Sequence, residues 1–120
     1  MSKEIRSYIE LVDVCRKATS CFVGSFIAEL IIRRKEWENP DTKTQFIESF
    51  HQEYFSWDEK HSIDRTRNQV NCAIRIIESH RVEEALEYVL NANNKKLDIL
   101  QAKINAHDTL ALLNSGKITY

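Results

Sequence analysis

Two glycines and one proline in 120 residues leave this chain few means of turning sharply. Reversals lean on Gly and Pro, because those residues adopt or pre-set the backbone angles that tight turns need. A loop-rich β-sandwich and a linker-joined pair of domains are both disfavoured, and helix becomes the expected state. With 42% hydrophobic and 29% charged residues, the chain reads as a single helical domain over 1–120, with enough core to fold without disulfides or structural metal.

The apolar spacing agrees. Ile5, Tyr8, Ile9, Val12, Cys15, Phe22, Phe26 and Leu30 recur at three and four residues, with Ile27 and Ile31 widening the stripe. Basic residues Arg33, Arg34 and Lys35 suit the negative end of a helix, and Asn39-Pro40 stops it. An unbroken helix from Lys3 to Glu36 would span about 50 Å, against a radius of gyration of roughly 14 Å for a compact domain of this length. Either it bends, with Thr19, Ser20 and Gly24 as the weak point, or the molecule is elongated. Asn39 and Pro40 fit the N-cap and first position of a second helix, whose apolar face is Phe46, Ile47, Phe50, Tyr54 and Trp57. A turn is expected around Ser56 to Ser62, where Ser56 and Glu59 have capping-box spacing. Ile63, Val70, Ala73, Ile74 and Ile77 mark a third stripe ending near Ser79.

From Val82 onward two interleaved sevenfold repeats appear: Leu90, Leu97, Ile104 and Ala111, and Leu86, Asn93, Leu100 and His107. This is a heptad seam with two polar interruptions, of the kind that pairs one helix with another. The run from Asn91 to Lys96 has poor helix propensity and is a candidate break, and Asn114-Ser115-Gly116 a C-terminal stop. The expected fold is an all-α antiparallel bundle of four to five helices, with a coiled-coil-like C-terminal helix that could elongate it.

Seventeen Lys and Arg against eighteen Asp and Glu give a formal net charge of −1, which disfavours extended phosphate tracking on a duplex. The clusters Arg33-Arg34-Lys35, Arg65/Arg67 and Lys95-Lys96 alternate with acids and read as solvated faces, unless two of them converge beside Trp37 or Trp57 as a nucleic-acid patch. Three cysteines, Cys15, Cys21 and Cys72, without CxxC spacing, suggest buried thiols in a reducing cytoplasm. The N-terminus lacks the organisation of a signal peptide. The stretch Cys21 to Ile32 is shorter than the roughly twenty apolar residues of a membrane span and contains Glu29. No membrane association and no cofactor are expected.

Three constellations could carry chemistry. Glu48 and His51 form an ExxH pair, a metal-ligand geometry that needs a second such pair, yet His61, His80 and His107 follow Asp58, Ile77 and Ile104 by three residues. Glu10 and Asp13 stand at the ExxD spacing of helical nucleotide pyrophosphohydrolases of the MazG type, without the upstream glutamate pair that holds magnesium there. Arg75 and His80 in RIIESH have an Arg-x4-His spacing that resembles the motif of HEPN-type ribonucleases, themselves small all-helical domains. That resemblance covers six residues and implies a catalytic pair acting on a phosphodiester, commonly across a dimer. Beside it, Arg65 and Arg67 are candidates for added phosphate contacts. No P-loop or GxSxG is present.

What these subtractions leave is a helical surface. The sequence therefore reads as a small non-enzymatic interaction protein in the cytoplasm: a regulator, inhibitor, immunity protein or assembly subunit that binds a protein partner or itself as a homodimer. The expected contact residues are Leu90, Asn93, Leu97, Leu100, Ile104 and His107. A HEPN-like ribonuclease or RNA-binding domain using Arg75 and His80 is the alternative.

Overall fold

The computed structural model describes residues 4–92 and 97–120. Among them the chain forms seven helices and no strand: α1 (Tyr8–Ala18), α2 (Ser20–Ile32), α3 (Arg34–Glu38), α4 (Pro40–Phe55), α5 (Ile63–Glu78), α6 (Val82–Leu90) and α7 (Leu97–Asn114). The all-α class is as the sequence predicts. The number of helices exceeds the expected four to five, because the first apolar stretch breaks twice and the last one breaks after Leu90. Nor is the molecule elongated. Its radius of gyration is 13.6 Å and its extents are 33 × 29 × 28 Å.

The first break falls at Thr19. Its backbone takes φ 77°, a value that β-branched residues rarely adopt, and its Oγ1 accepts from the Phe22 N–H to cap α2. The Ala18 carbonyl freed by this bend is met from α5, where the buried Gln69 amide donates to it at 2.9 Å. A bend here folds α1 back, so a helix long enough to span the molecule never forms. The second break, at Arg33, leads into the single turn of α3, and Trp37 then buries its ring and donates Nε1–H to the Leu30 carbonyl.

Local signals set most other boundaries. Asn39 caps α4 by accepting from Asp41 N–H, with Pro40 at the first position. The α5 cap is Ser62, which accepts from Arg65 N–H, and not the Ser56 spacing that the sequence offered. At the end of α5, His80 takes φ 57° while the N–H groups of His80 and Arg81 donate to Ile77 and Ile76 carbonyls, the paired bonds of a Schellman cap. Gly116, at φ 75°, ends α7 in the same left-handed region.

α2 is the centre of the fold, packing against α7 most extensively and also against α1, α5 and α6. Phe22 and Phe26 join it to Phe50, Tyr54 and Phe55, so α4 supplies the aromatic part of the core, with Phe55 there and Trp57, expected on that face, exposed beyond the helix end. The α2–α7 contact is backbone-close: a Cβ added at Gly24 would lie 2.6 Å from the Ala102 carbonyl oxygen. Gly24 is thus one residue where the absence of a side chain is required. Among the described residues no helix is long and apolar enough to cross a membrane.

Replacing Gly24 with Ala should force α2 and α7 apart and cost about 1–3 kcal/mol, the usual range for overpacking a filled core. Urea unfolding checks this through a lowered midpoint at constant slope. An unchanged midpoint would contradict the close approach.

Candidate functional site

α7 carries two apolar stripes on opposite faces. The inward one is Ile99, Ala102, Ala106 and Thr109, all buried, continued by the partly buried Leu113. The small side chain of Ala102 is what permits contact with Gly24. The outward stripe is Leu100, Ile104, His107 and Ala111, all exposed, with Leu100 and Ile104 at 48% and 56%. Successive steps of four, three and four residues make this the pattern of a helix-pairing seam. An isolated exposed Leu is ordinary, whereas large apolar side chains aligned on one helix face form a candidate contact surface.

The expected contact residues therefore divide. Leu100, Ile104 and His107 share the outward face. Leu90 ends α6 and is partly buried against the core, next to the fully buried Leu86. The seam does not continue through α6. Asn93 and the side chain of Leu97 lie outside the described residues.

Beside α7 runs a groove of about 320 Å³ whose lining includes Phe22, Phe26, Phe55, Trp57, Arg65 and Gln101. Trp57 is 78% exposed, and its Nε1–H donates to the Tyr54 carbonyl. Under this groove the His61 ring stacks on Phe55 with centroids 3.9 Å apart and lies 6.0 Å from the His51 ring. His51 Nδ1 is 2.7 Å from Thr66 Oγ1. His61 Nε2 and Gln69 Oε1 are both buried without hydrogen-bonding geometry to a partner. Burial pulls the His61 imidazole below its usual value, and the charges of Arg65 and His51 act the same way, while Asp58 and Gln69 oppose more weakly. Nothing in the spacing of His51, His61 and Gln69 announced this cluster, because it is assembled across the α4–α5 turn.

The residues singled out for chemistry are spread over the molecule. Arg75 lines a shallow groove of about 450 Å³ with Glu10, Asp13 and Lys17, so the ExxD pair and the arginine meet. His80 does not line that groove and stacks on Tyr120 instead, whose hydroxyl donates to the Glu83 carboxylate. Arg65 and Arg67 do not line it either, and Arg67 pairs with Asp64. Glu48 is exposed, His51 is held by Thr66, and among the described residues no three His, Cys, Asp or Glu side chains gather as a metal site. In the first basic cluster Arg33 bonds Glu36 and stacks over Phe46, while Arg34 bonds Glu38 beside the buried Trp37. Arg81 bonds Glu84 through two nitrogens. No disulfide links the cysteines; burial and the neighbouring Cys72 push the Cys15 thiol up to about 12, and burial raises Cys72.

Comparisons with protein-family models, with curated proteins and with solved structures found no match to this chain.

The depressed His61 imidazole gives stability a pH dependence. Unfolded, the ring takes a proton near the usual value of about 6.5; folded, it takes one only at lower pH, so stability is full above that value and falls as the pH drops through it. His61→Phe keeps a ring on Phe55 and should flatten this part of the profile, measured as urea midpoints above and below the usual histidine pKa. A variant as acid-sensitive as the parent would refute the assignment.

Proposed function

We propose that this protein is a non-enzymatic interaction protein, a regulator, inhibitor, immunity protein or assembly subunit working in a reducing cytoplasm, and that it docks the outward stripe of α7 against a helix of a protein partner. The single observation behind the reading is that Leu100 and Ile104 stand on solvent at seam spacing while the opposite face of the same helix fills the core. Covering either side chain is worth about 1.5–3 kcal/mol when fully buried, so a partner that fits the stripe gains measurable affinity from a short contact. The adjoining aromatic groove and exposed Trp57 extend the apolar area available to such a partner. A second copy of the chain is one partner of this kind.

Ile104→Glu places a charge in the middle of the stripe, at an exposed position where folding stability should change by less than about 0.5 kcal/mol. The variant should keep its helical circular dichroism and lose a protein that co-purifies with the parent chain from its native host, or lose self-association, by tenfold or more. Equal recovery and equal self-association for both chains would contradict the proposal.

A further inference from the structure

Resting on the reading that α7 receives a helix, we propose that its occupant is the α7 of a second copy, aligned parallel about a two-fold axis. Counting Ile104 and Ala111 as the first position of a heptad places Leu100 and His107 at the fourth. Within parallel coiled coils, Ile at the first position with Leu at the fourth favours two strands over three or four.

The flanking charges choose the orientation. Lys103 and Asp108 border the stripe on opposite sides, five residues apart, and among the described residues neither has an ion-pair partner in its own chain. In a parallel pair, each Lys103 meets Asp108 of the second copy, and the two-fold axis makes the contact twice. Reversing one helix sets Lys103 against Leu110 and Asp108 against Gln101, and both attractions are lost. In the parallel pair His107 faces its own copy across the axis, a polar seam position of the kind that fixes register at some cost in stability. From Leu100 to Ala111 the seam is about 16 Å long, at the small end of protein interfaces, so the pair should form reversibly as concentration rises.

Sedimentation velocity of the full chain from micromolar to near-millimolar concentration tests the pairing. The parent should pass from monomer to dimer; Lys103→Asp or Asp108→Lys alone should weaken the dimer about tenfold, since each replaces two attractions by two repulsions. The double variant carrying both reversals should restore it. Under mild oxidation Leu100→Cys should form a covalent dimer beyond the parental background, because like positions meet in a parallel pair. A parent chain that stays monomeric, a double variant no better than the single ones, or cross-linking only between Leu100→Cys and Ala111→Cys chains would overturn the proposal. If the parent stays monomeric while Ile104→Glu still loses a host protein, self-pairing falls and the docking role of α7 stands.

Discussion

The contact between Gly24 on α2 and Ala102 on α7 determines how the rest of the surface is arranged. A helix normally buries its largest apolar side chains and shows small or polar ones to water. α7 does the reverse in its middle, where Ala102, Ala106 and Thr109 are inside and Leu100 and Ile104 outside. At Ala102 that inversion follows from the absent side chain at Gly24, since α2 approaches so closely that only a small residue fits between the backbones there. Leu or Ile in place of Ala102 would separate the helices, and at this level of α7 the large side chains Leu100 and Ile104 face outward.

The same geometry explains which parts of the fold were legible in the sequence. Helix dominance, the Asn39-Pro40 start of α4, the end of α5 near Ser79 and the Gly116 stop depend on local backbone chemistry, and each lies where the residues indicate. The bend at Thr19 was narrowed to a few residues, but the Ala18 carbonyl it frees is met by Gln69, 51 positions further along the chain, which spacing cannot show. The capping spacing pointed to Ser56, whereas Ser62 is the cap that forms, and the aromatic packing of Phe55 on His61 leaves the intervening turn outside the helix.

The candidate surface was half legible. Sevenfold recurrence of Leu100, Ile104, His107 and Ala111 can be read directly, and so can the break after Leu90. Whether that seam faced the core or the solvent could not, because a second stripe of Ile99, Ala102, Ala106 and Thr109 shares the helix and its small residues carry a weak hydrophobic signal. Extending the seam back to Leu86 and Leu90 joined two different environments, since Leu86 is core. Chemistry-bearing residues were distributed in the opposite sense. Arg75 and His80 are close in sequence, yet one lines the α1 groove and the other caps α5 against Tyr120.

Thiol labelling at two positions of α7, Ile104→Cys and Thr109→Cys, followed as the protein is concentrated, tests the outward face of this helix most directly. Residue 104 should react as a solvent-facing thiol in dilute solution and become protected at high concentration, while residue 109 stays protected throughout. Protection of both at every dilution, or reactivity at 104 that concentration and added partner leave unchanged, would contradict the claim that α7 turns a binding face outward.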